Sequence, residues 1–225
     1  MRARTAFRLH PLLAFVGAGL LTIGTALHPM GADPAVAEAA FAEYAADRHW
    51  VASHLTQLVG AWAMIASLLL LARRLETGPA APWAGLASAF GIAGIAAAAA
   101  LQAVDGVALK MVVDRWAAAP EPEKAALFAA AYGVRQVEIG LAGVNCLLLG
   151  FMAAILGAAL VIDGRLPRWA GLSGVAGGVV TAASGVAIAC TGFSALAMAV
   201  NMPAVTALMA WAVALGVLGW TRALH

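Results

Sequence analysis

Charged residues are scarce in this chain. Lysine and arginine together number 13 and aspartate and glutamate 11, so that 11% of the 225 residues are charged while 64% are hydrophobic. A soluble domain carries about 25% charged residues, and a mean hydropathy of +0.92 lies far from that class. This composition excludes a soluble globular protein and predicts a chain whose solvent is the lipid bilayer.

Cysteine motifs and metal-binding histidine motifs are also missing. The two cysteines, Cys146 and Cys190, belong to no CxxC pair, and the histidines form neither HxxxH nor HExxH. Because the two cysteines are predicted at different membrane depths, we expect no disulfide between them. The chain has no block of Lys and Arg and no aromatic residues interleaved with basic ones, so nucleic acid is excluded as a partner.

Long apolar runs dominate what is present. Each run is close to the roughly 20 residues that an α-helix needs to cross a bilayer core. The sequence therefore predicts an all-α, six-helix transmembrane bundle that forms a single domain over residues 1–225. The six predicted spans cover residues 12–27, 55–72, 83–104, 139–161, 170–189 and 204–219.

The charges between these spans alternate in sign. Placing the N-terminus in the cytoplasm leaves eight cations and two acids on the inner side, against five cations and nine acids outside. Since cytoplasmic loops of membrane proteins are rich in Lys and Arg, this pattern predicts that both termini are cytoplasmic. The inner cations are Arg2, Arg4, Arg8, Arg73, Arg74, Arg165, Arg168 and Arg222.

The first apolar run allows a second interpretation. Arg2, Arg4 and Arg8 precede it and the small residues of segment 31–40 follow it, which is also the pattern of a secretory signal peptide. Cleavage would leave five spans and would remove His28. Whether helix 1 is cleaved is left open at this point.

Two features suggest internal order. The tetrapeptide Trp-Ala-Gly-Leu at 83–86 recurs at 169–172, each time at the cytoplasmic start of a span. This recurrence predicts two parallel hairpin repeats, formed by helices 2–3 and 4–5, as is common in transporters. Helix 5 also carries small residues at spacings of three and four, which permit close helix approach. We expect helix 5 to be central and consider a homo-oligomer through this Gly-rich helix as an alternative. The stripe consists of Gly171, Gly174, Gly178, Ala182 and Gly185.

The outer loops carry helix signals as well. Asp33 followed by Pro34 predicts the start of a short surface helix that ends near Ala46. Glu121 followed by Pro122 predicts a helix that continues into span 4. Lys110 and Asp114 are four residues apart, as in a helical ion pair, so span 3 is expected to continue past the membrane surface.

The residues of greatest interest are polar ones that interrupt the apolar runs. All lie toward the outer ends of spans 1 to 4. Where two of them lie on the same span, as His54 and Gln57 do, their spacing places both on one helical face. Because ionisable groups in hydrocarbon are costly unless they find partners, such residues indicate a functional site. The opposing interpretation is a set of ordinary headgroup-layer side chains, with Arg135 neutralising Glu138. The predicted ligand-binding set is His28, His54, Gln57, Gln102, Asp105, Glu138 and Asn145.

Several chemistries fit this set. A metal ion could be bound by the imidazoles of His28, His49 and His54 together with carboxylate ligands. His28 and His54 are the only plausible axial pair for a haem. A transporter would instead use Asp105 or Glu138 for proton coupling. A structural or assembly role without catalysis is the remaining alternative, so the sequence alone leaves open whether the protein is an enzyme.

A resemblance supports the predicted fold. Residues 166–172, Leu-Pro-Arg-Trp-Ala-Gly-Leu, precede a Gly-rich span, a short turn with Pro203 and a last apolar span. This arrangement over residues 165–222 resembles the C-terminal half of an uncharacterised family of six-helix bacterial membrane proteins, a domain of unknown function. The resemblance implies six spans and a bacterial cytoplasmic membrane, but no activity. Members often carry a glutamate in the last span, where this chain has Thr206 and no acid.

Our leading interpretation is a membrane protein that binds a small ligand, a metal or a haem in an outward-facing polar pocket. A redox enzyme is its sharper form, and a small-solute or proton-coupled transporter is the main alternative.

Overall fold

The chain folds into helices only, over the part that the structure describes. This computed structural model describes the backbone of residues 2–222 and the side chains of residues 9–221. The helical content is 88%, and the described residues contain no strand. The helices are α1 (Arg2–Leu27), α2 (Ala37–Ala46), α3 (Trp50–Ala72), α4 (Ala81–Gln102), α5 (Lys110–Ala118), α6 (Glu121–Asp163), α7 (Arg168–Thr191) and α8 (Ala195–Arg222).

Six of the helical stretches are long and apolar enough to cross a membrane, which confirms the prediction of six spans. They are longer than the apolar runs because polar helix formers continue the helix on both sides of the hydrophobic window. The extreme case is α6, whose 43 residues rise by roughly 65 Å, about twice the thickness of a bilayer core. A bilayer core around its apolar part would therefore leave its first turns outside.

The six spans pack in a ring that follows their order in the chain. α1 packs on α3, α3 on α4, α4 on α6, α6 on α7, α7 on α8, and α8 closes the ring against α1. The predicted fifth span is α7 of the structure. The expectation that it is central was wrong, because α7 lies between α6 and α8 like any other member of the ring. Apolar side chains from α3, α4, α6 and α8 fill the interior as one core.

The glycines of α7 explain the tightest contact of the ring. A Cβ added at Gly178 would lie 2.4 Å from the Ala154 backbone nitrogen, and one at Gly171 would lie 2.6 Å from the Gly157 carbonyl oxygen. Only glycine permits such backbone contact, so the small-residue stripe packs against α6 within the chain. A homo-oligomer through α7 would have to use its other, Val- and Leu-rich face.

The helix signals between the spans are largely confirmed. α6 runs without a break from Glu121 into span 4, and α5 carries the Lys110–Asp114 ion pair at 2.7 Å. The surface helix α2 also forms, but it begins at Ala37 rather than after Asp33. The Asp33 carboxylate instead accepts a hydrogen bond from the Ala35 backbone N–H, which forms a turn before the helix.

The two ends of the ring differ in chemistry. We call the end that contains His28, His54 and Asp105 the polar end. The opposite end, with Arg73, Arg74, Arg165 and Arg168 in its two connections, is the arginine end. Of the other arginines in the charge argument, the side chains of Arg2, Arg4, Arg8 and Arg222 lie outside the described residues.

Candidate functional site

The structure brings four predicted site residues together at the polar end, from four different segments. His28 follows α1, His54 lies one turn into α3, Asp105 lies in a π-helical segment after α4, and Glu138 lies on α6. The His28 and His54 rings are 5.0 Å apart between centroids, and Asp105 interacts electrostatically with both His28 and Glu138. His54 is 1% exposed and Glu138 3%, whereas His28 and Asp105 are partly exposed, so the group is open on one side.

The His54–Asp105 contact holds a proton. The His54 Nδ1 atom lies 2.7 Å from the Trp50 carbonyl oxygen, which can only accept, so Nδ1 carries a hydrogen. The other ring nitrogen, Nε2, is 3.1 Å from the Asp105 Oδ2 atom. That contact is attractive only if one more proton lies between them, either on an imidazolium or on a protonated carboxyl group. The pair therefore shares a single exchangeable proton.

A local change of helix type positions Asp105. Residues Ala103–Leu109 form a π-helix, a wider turn that is frequent at functional sites. The Asp105 carbonyl accepts a 3.0 Å hydrogen bond from the Trp50 indole N–H, which joins this segment to α3. Gly106 makes the approach possible, since a Cβ there would lie 2.5 Å from the His54 Cβ atom.

A buried ion pair lies beside the histidines. The Arg135 Nη1 atom donates to both carboxylate oxygens of Glu138, at 3.2 and 3.1 Å, and to the Tyr44 hydroxyl at 3.2 Å. Its Nη2 atom donates to the Pro34 carbonyl, and the guanidinium carbon lies 5.4 Å from the ring centroid of Tyr44 and 4.7 Å from that of Phe193. Arg135 thus neutralises Glu138 and also fastens the loop before α2.

Helix α2 covers the cluster. Phe41 and Tyr44 are buried beneath it, and the Tyr44 ring packs at a tilt against Trp50 with 4.1 Å between centroids. The Trp50 ring in turn packs against His54, with 4.4 Å between centroids. Lys110 donates to the Tyr44 and Ala45 carbonyls at the C-terminal end of α2, each at 3.0 Å. The cover is therefore held by aromatic packing and by a cation on the helix C-terminus.

His28 is kept neutral by its surroundings. Its Nδ1 atom donates to the Pro29 carbonyl at 2.6 Å, which leaves the Nε2 lone pair as an acceptor. Burial lowers the pKa of His28 below the usual 6.5, and the nearby His54 lowers it further. Burial likewise raises the pKa of the Tyr44 hydroxyl, against the opposing effect of Arg135. Tyr44 and His28 are therefore both uncharged near neutral pH.

The remaining predicted residues fall into two groups. Gln102 and Asn145 each have a buried side-chain oxygen that accepts no hydrogen bond. Gln57 packs instead against α1, where its Cγ atom would lie 2.7 Å from a Cβ added at Gly24. His49 is exposed just before α3, and the structure does not bring it to His28 and His54.

The proposed haem and metal geometries can be compared with these positions. Two imidazoles bound to one iron through nitrogen bonds of about 2 Å would have centroids roughly 6 Å apart, whereas His28 and His54 are 5.0 Å apart. Both His54 nitrogens also have protein partners. Among the described side chains, no three His, Cys, Asp or Glu residues are grouped as a metal site requires. The cluster as it stands is better suited to proton transfer than to iron ligation.

Sequence reasoning missed the aromatic part of this site. The rings of Trp50 and Tyr44 lie 4.8 and 6.4 Å from that of His28 between centroids. The sequence did not indicate this, because aromatic residues at a predicted membrane boundary are typical of the interfacial belt. The signal that could have found Trp50 is its i, i+4 spacing to His54.

Comparison of the chain with protein-family models, curated proteins and solved structures finds no match. The resemblance of residues 165–222 to the six-helix family therefore stays a prediction.

Proposed function

We propose that this protein is an integral membrane protein that binds a small ligand at the polar end and exchanges a proton with it. The observation that carries this proposal is the buried His54–Asp105 contact, which holds one proton beside a second Asp105 oxygen that accepts no hydrogen bond. A proton donor next to an open acceptor is the arrangement of a general acid–base site. A redox enzyme whose cofactor or substrate exchanges protons here is the sharper form of this proposal.

The proposed orientation places the polar end outside a bacterial cytoplasmic membrane and both termini in the cytoplasm. The charge distribution supports it, because the arginine end and the termini carry eight cations and two acids. The two parallel hairpin repeats belong to the same proposal, supported by the recurring Trp-Ala-Gly-Leu segment.

Nitrogen-15 NMR of histidine-labelled protein in lipid nanodiscs tests the proton-sharing site. We expect the His54 Nε2 signal of the parent to change with pH as the proton shared with Asp105 is lost, and this pH-dependent change to be absent in Asp105→Asn over the same pH range. Asp114→Asn is the matched control, since it removes a carboxylate from a half-exposed position on α5. A His54 spectrum that is the same in Asp105→Asn as in the parent at every pH contradicts the proposal.

The haem and metal forms have their own readouts. A Soret band that is lost in His54→Ala, or a stoichiometric metal by elemental analysis, would give the small ligand its identity. A haem held by both histidines would also require the two imidazoles to separate from their present positions.

A proton-coupled transporter is the second candidate, and one observation favours it. Polar contacts continue inward from the site, since the Asn201 side-chain oxygen lies 3.3 Å from the Cys146 sulfur and 3.1 Å from the Ser184 hydroxyl. Beyond them lies the apolar core formed by α3, α4, α6 and α8. Proton uptake into vesicles by the parent, abolished in Glu138→Gln, would support transport over simple binding.

A further inference from the structure

The polar end contains an excess of unused acceptors. Among the described side chains, four buried polar atoms lack a hydrogen-bond partner, and all four are oxygens: Asp47 Oδ2, Gln102 Oε1, Asp105 Oδ1 and Asn145 Oδ1. Buried polar atoms are paired in nine cases of ten or more, so unpaired ones need an explanation. Their placement toward the polar end of the bundle points to a missing donor.

Asp47 and Asp105 lie near the His28–His54 cluster, whereas the two amide oxygens lie deeper in the bundle. Asp47, just before α3, acts electrostatically on both histidines. Contacts of Gly94 with Leu149 and of Gly91 with Met152 fix the antiparallel register of α4 and α6. This register places Asp105 at the level of Glu138, Gln102 about one turn deeper, and Asn145 two turns below Glu138, or about 10 Å. The unused oxygens thus follow the α4–α6 interface inward from the histidines.

The donors nearby are already committed. Arg135 donates to Tyr44, Glu138 and Pro34, and Lys110 donates to two α2 carbonyls and to Asp114. The Nε2 lone pair of His28 is a further acceptor, since its Nδ1 atom is the donor to Pro29. The site therefore offers a ligand hydrogen-bond acceptors, which are oxygens and an imidazole nitrogen, next to the aromatic ring of Trp50.

We infer that the ligand of this site is a cation with N–H donors, an ammonium ion or a small primary or secondary amine. This inference rests on the function proposed above and names its ligand class. Ammonium hydrogens would donate to Asp105 Oδ1 and to Gln102 Oε1, which lies about one turn deeper. The polar-end segments and the adjoining span ends carry nine acids and five cations. This excess of negative charge would attract the cation from solution.

Binding of the cation is coupled to release of a proton. With the shared proton in place, the His54–Asp105 pair is neutral overall, and the Arg135–Glu138 pair is neutral as well. An incoming ammonium replaces that proton as the positive partner of Asp105, and the proton leaves to solution. One cation is exchanged for one proton, so the affinity rises by up to about tenfold per pH unit over the range in which the pair is protonated.

Calorimetric titration of the full chain in nanodiscs tests this, with methylammonium and tetramethylammonium chloride as probes. The two cations have the same charge, but tetramethylammonium has no N–H donor. We expect methylammonium to bind at least tenfold more tightly and with an affinity that increases with pH. Equal affinity for both cations, or no binding of methylammonium between pH 6 and 9, would overturn the inference.

Variants locate the site. Gln102→Leu should weaken methylammonium binding severalfold, whereas Gln57→Leu should not, because Gln57 faces α1. An equal loss in both variants would overturn the assignment of the site. If methylammonium fails to bind while the pH-dependent change of the His54 Nε2 signal is still absent in Asp105→Asn, the inference fails and the proposed proton-exchange site stands. If the methylammonium titration and the His54 NMR experiment both fail, the cation inference and the proposed proton-exchange site are both wrong.

Discussion

Two fully buried histidines occupy opposite ends of this bundle, and they differ in their partners rather than in their burial. His10 on α1 is 0% exposed and His54 on α3 is 1% exposed. The His10 Nδ1 atom lies 2.7 Å from the Ser67 hydroxyl oxygen and its Nε2 atom 3.3 Å from the Leu215 carbonyl. The Ser67 hydroxyl itself donates to the His10 carbonyl at 2.9 Å. These contacts join α1 to α3 and α8.

The comparison separates a histidine that joins helices from one that is positioned for chemistry. The polar partners of His10 are a hydroxyl and backbone carbonyls, and no unpaired buried oxygen of the described side chains belongs to its contacts. His54 instead contacts a carboxylate whose other oxygen is unpaired. Burial alone therefore does not identify a functional histidine, whereas an ionisable partner with spare acceptor capacity does.

The largest expected effect lies at the polar end, in the ion pair beside His54. Arg135→Met should lower the free energy of unfolding by about 3–5 kcal/mol, because it leaves the Glu138 carboxylate buried without a counter-ion. The double variant Arg135→Met with Glu138→Leu should regain most of this loss, since no charge is then buried. Arg168→Met, at an exposed position of the arginine end, is the control. Thermal unfolding in detergent, followed by tryptophan fluorescence, measures all three.

That result would define the polar end as a place where charge balance is needed for folding. If Arg135→Met is as stable as Arg168→Met, the ion pair is not as buried as the structure indicates.

His10 provides the next largest effect, and it tests the comparison directly. His10→Ala should cost about 1–3 kcal/mol, since it removes buried hydrogen bonds between α1, α3 and α8 and leaves their partners unpaired. The His54 NMR signals should be unchanged in this variant. Altered proton exchange at His54 in His10→Ala would mean that the two ends are coupled. His10 would then do more than join helices.

A smaller effect concerns pH and distinguishes His28 from exposed histidines. The pKa of His28 is lowered in the folded protein by burial and by His54, relative to 6.5 in the unfolded chain. Between these two values the unfolded state binds more protons, so stability falls as the pH decreases below about 6.5. The parent should lose more stability from pH 7 to 5 than His28→Gln does. His49→Gln, at an exposed position, should follow the parent curve.

The sequence predicted the six spans well, because hydrocarbon thickness imposes a length of apolar residues that few other structures share. It did not predict their order in space. The Gly stripe of α7 indicated close packing but not the partner, and a glycine face is equally compatible with a neighbouring span or a second copy of the chain. The choice of α6 depends on matching glycines such as Gly150 and Gly157, which a linear pattern does not pair.

The ionisable part of the candidate site was predictable for the same physical reason. His28, His54, Asp105 and Glu138 each interrupt an apolar run near one end, and the cost of isolated charges drives such groups together. What the pattern could not show is the π-helical turn that brings Asp105 toward α3, because it changes the helix phase by one residue. Nor could it show that Tyr44, on a separate surface helix, reaches Arg135.

The smallest expected effect comes from Lys110, whose ion pair is compared with its hydrogen bonds to the end of α2. Its ion pair with Asp114 measures 2.7 Å, but the Asp114 side chain is 49% exposed, so Asp114→Asn should change stability by about 0.5 kcal/mol or less. Lys110→Met should cost more, about 1–2 kcal/mol, because the same ammonium group also donates to the Tyr44 and Ala45 carbonyls that end α2. Comparison of the two thermal midpoints with that of the parent measures the difference. Equal losses would show that Lys110 acts through the solvated carboxylate alone, and that the cover over His54 is held by its aromatic side chains.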